Sequence, residues 1–157
     1  MLKILLVTTS TNAVWMALEQ ELGNELITID CALSKSGFFQ LLDNLFQRMV
    51  PDILITYRCP YILPERIFQK ARLGAFNIHP SLLPKYPGLN PWNDMFLNHE
   101  REGGVTLHQI TGNVDAGPIL FQSSFLIDDT DTIDSARMKA DQHAVELVNM
   151  LIRNCKK

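Results

Sequence analysis

Cysteine pairs and metal-type histidine spacings are missing from this sequence. Its three cysteines are Cys31, Cys59 and Cys155, and no two of them form a C-x-x-C motif. This pattern argues against a disulfide framework and a structural zinc site, and it is typical of a reducing compartment. The four histidines show no H-E-x-x-H or similar spacing, so we expect no bound metal.

Long hydrophobic runs and a strong excess of one charge are also missing. The first apolar run, in MLKILLVTTSTN, is too short for a signal-peptide core or a membrane span. We therefore expect a cytoplasmic protein with no membrane partner. The formal net charge is −3 and the Lys and Arg clusters are short, which disfavours nucleic acid as a partner.

The composition that is present is typical of one packed domain. The chain has 157 residues, of which 46% are hydrophobic and 20% are charged. This length lies within the usual range of a single domain, and the hydrophobic fraction is sufficient for a core. We expect one domain over residues 1–157.

Short apolar runs alternate with helical periodicity along the first half of the chain. The predicted strands are KILLV (3–7), ELITID (25–30), DILITY (52–57) and GAFNIH (74–79). The predicted helices between them cover residues 15–22, 37–49 and 63–73. Because continuous apolar runs indicate strands buried on both faces, we predict an α/β fold. Its sheet is Rossmann-like, doubly wound and mostly parallel, with helices on both faces and a ligand crevice at the carboxyl ends of the strands.

The second half of the chain and the helix boundaries give further predictions. A helix is predicted at 91–100, a strand pair at 104–110 and 118–127, and a long closing helix at 131–153. Ser10, Thr11 or Asn12 can cap the first helix, and Gly23 can end it. The predicted core residues of the second helix are Phe38, Leu41, Leu42, Leu45, Phe46 and Met49.

Asn77 and His79 are the first candidates for chemistry. They stand two apart at the end of a predicted strand, so their side chains share one face while Ile78 points to the other. An amide and an imidazole that titrates near neutral pH can together stabilise an oxyanion and move protons. The alternative is that both side chains only cap loop backbone.

The loop that follows, PSLLPKYPG, is stiffened by its own residues. Pro80, Pro84 and Pro87 fix φ, and Gly88 permits backbone conformations that other residues resist. A loop held in shape in this way can line a binding site. It can equally be a structural crossover, because a proline-rich loop alone specifies no reaction.

Asp115 is the second candidate for chemistry. It lies between Gly112 and Gly117 in the turn TGNVDAGPI, where a single aspartate most often caps the turn itself. If the turn folds back beside His79, the carboxylate could orient the imidazole and raise its pKa.

Three other histidines and one arginine have open assignments. His99 and His143 fall in predicted polar helices, and we expect both to be solvated. His108 lies in the middle of a predicted strand, where it is either a satisfied core histidine, which is favoured, or a group that supports the site. Arg58 either contacts an anion in the cleft or lies on the surface.

The two segments FNIHPSLLPKYPG and GVTLHQITGNVDAGPIL resemble the formyltransferases that use 10-formyltetrahydrofolate. These include the glycinamide ribonucleotide, methionyl-tRNA and sugar-nucleotide amine formyltransferases and formyltetrahydrofolate hydrolase. The resemblance covers residues 51–125 most strongly. It implies the formyltransferase fold, 10-formyltetrahydrofolate as the formyl donor and a small-molecule amine as the acceptor.

The resemblance also implies the roles of the site residues. The family's Asn, His and Asp fall on Asn77, His79 and Asp115. Asn77 and protonated His79 would stabilise the oxyanion of a tetrahedral intermediate, and Asp115 would hold His79 and assist proton transfer. The pterin would bind beside the residues that correspond to the family's folate site, which are Ile62, Leu63, Gly112, Asn113 and Val114.

Departures from the family pattern reduce the number of acceptor classes that fit this sequence. The glycine-rich phosphate loop of the glycinamide ribonucleotide enzymes is replaced by TTSTNAV, which disfavours purine biosynthesis. The Asn-x-His motif comes early, so we expect one strand–helix element to be missing from the amino-terminal half. The absence of a tRNA-binding domain and of a regulatory domain disfavours the methionyl-tRNA and hydrolase assignments. The segment LNHEREGGVTLHQI looks closest to the sugar-nucleotide and glycinamide types, so a small amine is the leading acceptor class.

Two alternatives to catalysis on an amine stay open. A shortened domain could bind folate without catalysing transfer, or it could hydrolyse the formyl group to formate. Such a domain could also cover exposed apolar surface by forming a homodimer.

Overall fold

The fold is organised around one six-stranded sheet. The structure is a computed structural model that describes residues 1–9 and 13–157. Its strands are β1 (Ile4–Thr8), β2 (Leu26–Asp30), β3 (Ile53–Tyr57), β4 (Gly74–His79), β5 (Glu102–Gln109) and β6 (Ile119–Leu126). Their order in the sheet is β2-β1-β3-β4-β5-β6. The first four strands are parallel, whereas β5 is antiparallel to β4 and β6 is antiparallel to β5.

Helices cover both faces of this sheet. They are α1 (Ala13–Leu22), α2 (Lys35–Arg48), α3 (Glu65–Phe68), α4 (Pro91–Leu97) and α5 (Ile133–Cys155). Alternate residues of the buried strands point to opposite faces. On one face Leu6, Ile55 and Ile78 pack in a core with α1, α4 and α5. On the other face Leu5 and Leu54 pack with α2 and α3.

The predicted fold class is confirmed, and the differences are local. The helix predicted at 63–73 is limited to α3, because the N–H groups of Arg72 and Leu73 bond to the carbonyls of Pro51 and Asp52 and return the chain to the sheet. Leu41, predicted as core, is 41% exposed, because it lies away from the face of α2 that packs on the sheet.

The end of α1 agrees with the predicted helix stop. Gly23 has φ +50 and begins a short 3₁₀ turn directly after α1, as a helix stop requires. The cap predicted at Ser10, Thr11 or Asn12 lies outside the described residues.

His99 follows α4 in a turn instead of lying within a helix, and it is exposed. Within residues 1–9 and 13–157, no helix has the length and apolar character to cross a bilayer.

A buried polar contact fastens α5 to the sheet. The Tyr57 hydroxyl, at the end of β3, donates to Asp141 Oδ1 at 2.5 Å. Asp141 lies on α5 and is 6% exposed. Burial raises the pKa of its carboxyl, although the Tyr57 hydroxyl and the Arg58 guanidinium act against that rise. The contact fixes α5 beside the carboxyl ends of the strands.

Tyr57→Phe should destabilise the protein by about 1–3 kcal/mol, because it leaves a buried carboxylate oxygen without its donor. Urea unfolding would measure the loss. The matched control is Tyr61→Phe, which removes a hydroxyl that bonds to the Leu33 carbonyl at the surface and should cost about 1 kcal/mol or less. Equal losses for the two variants would contradict the structural importance given to the Tyr57 contact.

Candidate active site

The end of β4 brings Asn77 and His79 to one face of the sheet, as predicted. Asn77 pairs with Thr56 on β3 and with His108 on β5, and His79 pairs with Thr106 on β5. Ile78 between them is buried in the opposite core. Neighbouring strands therefore present polar side chains around the predicted pair.

Asn77 is oriented by bonds on both sides. The Thr56 hydroxyl donates to Asn77 Oδ1 at 2.7 Å, and Asn77 Nδ2 is 3.1 Å from His108 Nε2. His108 Nδ1 is 3.0 Å from the Gln109 carbonyl, which can only accept, so Nδ1 carries the proton. In the neutral ring Nε2 then accepts from Asn77, which leaves the second amide hydrogen of Asn77 available to the adjacent cavity.

His79 is buried, with only 4% of its surface exposed. Its Nε2 donates to the Tyr86 carbonyl at 2.7 Å, and its Nδ1 is 3.5 Å from Asp115 Oδ1. Burial lowers the pKa of His79 and outweighs the Tyr86 carbonyl and the Asp115 carboxylate, which act to raise it. The expected rise in pKa is therefore wrong in net direction. Because the Tyr86 carbonyl can only accept, Nε2 carries a proton, and Nδ1 is the nitrogen at which the ring gains or loses its second proton.

Asp115 connects three parts of the site. Its Oδ1 is 3.5 Å from His79 Nδ1 and 3.6 Å from His108 Nε2, and its Oδ2 accepts from the Gly88 N–H at 2.9 Å. Burial alone would raise the pKa of Asp115, but the two facing histidine rings, when they carry a proton toward the carboxylate, and the bond from the Gly88 N–H lower it below its ordinary value. An ionised carboxylate thus faces both imidazoles.

The turn that carries Asp115 depends on two unusual backbone positions. Asp115 has φ 53, a conformation that aspartate adopts more easily than most residues because its short side chain can bond locally. At Gly117 a Cβ would collide with the Gln109 carbonyl. The Gln109 N–H donates to the Pro118 carbonyl at 2.9 Å, so the turn folds tightly over the end of β5.

The proline loop is fastened to β5 and β6 by side chains that bond to its backbone. Thr106 Oγ1 donates to the Ser81 carbonyl at 2.7 Å and accepts from the Leu83 N–H at 3.1 Å. Gln122 Nε2 donates to the Leu83 carbonyl at 2.9 Å. A Cβ at Gly104 on β5 would come within 2.7 Å of Leu82 Cγ in the loop. The loop is therefore held close to the sheet, with Gly88 and the Tyr86 carbonyl positioned against the site.

A cavity of about 680 Å³ opens beside these groups and is lined by Asn77, His79, His108 and Asp115. Four of the five residues predicted to hold the pterin also line it, namely Ile62, Leu63, Asn113 and Val114. Gly112 is not among its lining residues. Ile62 is 71% exposed, so it offers a large apolar side chain among the lining residues. The volume falls within the range of small-molecule sites.

Two residues that contact Asn77, His108 and Thr56, are not assigned to the site by the sequence patterns. His108 is buried and both of its ring nitrogens have polar partners, as the favoured assignment as a satisfied histidine requires, but it also contacts Asn77 and lines the cavity. Thr56 was not singled out, although a hydroxyl next to the end of an apolar strand is a signal that could have found it. His143 is half-buried and bonds to Ser123 Oγ at 2.6 Å, so it is not simply solvated.

Comparison with known proteins assigns the chain to a family. Residues 5–152 match the formyl transferase family, and the chain belongs to this family. Over 111 residues it is 39% identical to the bifunctional polymyxin resistance protein ArnA of Wigglesworthia glossinidia brevipalpis, which covers 68% of this chain and 17% of that protein. The chain thus spans about a sixth of that relative.

Solved structures show the same fold at low sequence identity. Glycinamide ribonucleotide transformylase 1 from Symbiobacterium toebii superposes with a TM-score of 0.76 at 20% identity, covering 98% of this chain and 86% of that one. A variant of HypX from Aquifex aeolicus superposes with a TM-score of 0.81 at 20% identity, covering 99% of this chain and 27% of that one. The predicted formyltransferase resemblance is confirmed.

The His79 imidazole should titrate below the ordinary midpoint of 6.5, and NMR of its ring signals would measure this. Asp115→Asn should lower the midpoint further, because it removes the charge that favours imidazolium. The unfolded chain protonates His79 more readily than the folded chain does. The part of the free energy of unfolding that depends on His79 should therefore fall as pH drops below 6.5. A midpoint above 6.5 in the wild type would contradict the dominance of burial.

Proposed function

We propose that this chain transfers a formyl group from 10-formyltetrahydrofolate to the amino group of a small-molecule acceptor. The observation that carries the proposal is the position of Asp115, whose Oδ1 lies within 3.6 Å of both His79 and His108 beside one cavity. Membership of the formyl transferase family supports the reaction class.

Asn77 is the proposed donor to the formyl oxygen. Thr56 and His108 hold its amide oxygen and one amide hydrogen, so the second hydrogen can point to the oxygen on which negative charge develops. A donor fixed in advance stabilises that charge without reorganising during the reaction. Thr56 and His108 act through Asn77 as positioning residues in this scheme.

His79 is the proposed base for the amine proton. Its Nε2 hydrogen is held by the Tyr86 carbonyl, and its lowered pKa leaves Nδ1 ready to accept a proton near neutral pH. A proton taken at Nδ1 is held against the Asp115 carboxylate, which stabilises the imidazolium. The same pair can then return the proton to the departing nitrogen of the folate.

The formyl donor would lie along the apolar part of the cavity. Ile62, Leu63 and Val114 supply apolar surface there, and Asn113 and the backbone of the turn at Gly112 supply polar groups for a ring system. 10-Formyltetrahydrofolate provides the formyl group, and the protein provides the orientation of its carbonyl toward Asn77 and His79. A sugar-nucleotide amine or a glycinamide-like amine remains the proposed acceptor class.

The direct test is formylation of a panel of small amines with 10-formyltetrahydrofolate, followed by mass spectrometry. The wild type should add one formyl group to at least one amine, and His79→Ala should lower kcat/KM for that amine about 100-fold or more. The matched control is His99→Asn, because His99 is exposed in the turn after α4 and asparagine tolerates its positive φ. This control should keep the wild-type rate.

Each alternative function gives a different result in the same assay. Donor binding without formylation of any amine would favour a binding module and overturn the proposed transfer. Formate release in the absence of amine would favour hydrolysis. Equal rates for the wild type and His79→Ala would leave formyl transfer standing and remove His79 from its proposed role.

A further inference from the structure

Two of the three cysteines lie together beside the cavity. Cys31 follows β2 and is fully buried, and Cys59 follows β3 and lines the cavity. Both are free thiols, and both pack in the core that α2 and α3 form with the sheet. The third cysteine, Cys155, lies at the end of α5. The proposed transfer of a formyl group uses none of these thiols.

The chain after β3 bends toward the end of β2. Arg58, the first residue after β3, has φ 55, a left-handed conformation that residues with a side chain seldom adopt. Its carbonyl lies 3.7 Å from Cys31 Sγ, so the Cys31 sulfur contacts the peptide group that joins Arg58 to Cys59. The Cys31 N–H donates to the Thr8 carbonyl at the end of β1, the strand between β2 and β3. The two cysteines therefore meet across the end of β1.

The two thiols are also bonded to each other. A side-chain hydrogen bond joins Cys31 to Cys59, and Cys59 Sγ lies 3.5 Å from the Tyr61 carbonyl. The bond between the thiols, together with burial, raises the pKa of Cys31. The same bond lowers the pKa of Cys59, although burial acts against it. Cys59 is therefore the more readily ionised thiol, and the thiolate is the form of cysteine that attacks a disulfide.

Access from the cavity differs between the two thiols in the same sense. Cys59 is half-buried and lines the cavity, so a small reagent that enters the cavity can reach its sulfur. Cys31 has no exposed surface, so it can react with Cys59 but has no direct access to a dissolved reagent. An accessible, readily ionised thiol with a second thiol in contact behind it is the arrangement of an attacking and a resolving cysteine.

We propose that Cys59 and Cys31 form a reversible modification site for low-molecular-weight disulfides, with Cys59 as the attacking thiol and Cys31 as the resolving thiol. The Cys59 thiolate attacks one sulfur of the small disulfide, which forms a mixed disulfide and releases one thiol. The Cys31 sulfur then attacks the Cys59 sulfur, which forms the internal disulfide and releases the second thiol. The two protein thiols are oxidised, and the small disulfide is reduced to two thiols that carry the two protons away.

The first test uses glutathione disulfide and the wild-type protein, with neither folate nor amine present. After incubation near neutral pH, acid quenching and alkylation of the remaining thiols, mass spectrometry of the digest should show the Cys31 and Cys59 peptides joined by a disulfide. Cys155 should join neither peptide, and dithiothreitol should return all three free thiols. This test needs no variant, so misfolding cannot account for its outcome. Absence of the internal disulfide would overturn the proposal.

Variants then separate the two roles. Cys31→Ala should stop at the mixed disulfide, with one glutathione retained on Cys59, because no thiol is left to release it. Cys59→Ser should leave Cys31 unmodified, since the buried sulfur has no direct access to the reagent. The matched control is Cys155→Ser, which should form the same internal disulfide as the wild type. Modification of Cys31 in Cys59→Ser, or glutathione released from Cys59 in Cys31→Ala, would overturn the assigned roles.

Oxidation should also change the cavity, a consequence that rests on the proposed function. Cys59 lies three residues before Ile62, in a segment that lines the cavity and is proposed to bind the pterin. A disulfide to Cys31 would remove the Cys59 thiol hydrogen from the Tyr61 carbonyl. The oxidised protein should therefore bind an unreactive analogue of 10-formyltetrahydrofolate more weakly than the reduced protein in calorimetry, and dithiothreitol should restore the affinity. Equal affinities would contradict this link between the thiols and the cavity.

The outcomes separate this inference from the proposed function. If the internal disulfide forms but no amine is formylated, the modification site stands and the proposed reaction fails. If amines are formylated but glutathione disulfide leaves Cys31 and Cys59 as free thiols, formyl transfer stands and the modification site is wrong.

Discussion

The buried carboxylate of Asp115 is the contact on which the site depends. It lies in a turn beyond β5, yet it accepts a bond from Gly88 of the proline loop and faces both His79 on β4 and His108 on β5. β4, the proline loop and β5 therefore meet at one charge. A buried carboxylate is costly unless it is hydrogen-bonded or paired with a cation. The Gly88 N–H donates to Asp115, and a proton on the facing nitrogen of His79 would supply a cation.

Further contacts hold the segments around Asp115 in place. Thr106 fixes the proline loop against β5 by bonding to the Ser81 and Leu83 backbone, which sets where Gly88 can stand. Gly117 permits the tight turn that carries Asp115, because a side chain there would collide with the Gln109 carbonyl. The site is thus built on the sheet ends and held by the two loops that cover them.

The fold and part of the site follow from local patterns in the sequence. Short apolar runs rich in β-branched residues, such as DILITY, are typical of strands buried on both faces. The period of two places Asn77 and His79 on one face. The approach of Asp115 and the part played by His108 could not be read in this way. They depend on the antiparallel pairing of β4 with β5, which places His108 opposite Asn77, and on a turn geometry that sequence spacing leaves open.

The pKa values and ion pairs of the site were the features least predictable from the sequence. The sequence suggests that a carboxylate beside His79 raises its pKa, and the carboxylate does act in that direction, but burial is the larger influence and the pKa is lowered. Similarly, the sequence around Arg58 gives no sign of its pairing with Asp141 of α5. Burial is a property of the whole packed fold, so it cannot be read from neighbouring residues alone.

The most direct measurement for the central claim is calorimetric titration of the wild type and of Asp115→Ala with an unreactive analogue of 10-formyltetrahydrofolate. The account predicts that the wild type binds the analogue, and that the variant binds about tenfold or more weakly because the turn loses its bond to Gly88 and its charge near the histidines. No binding by the wild type, or equal affinity in the two proteins, would contradict the claim that Asp115 organises a folate-dependent site.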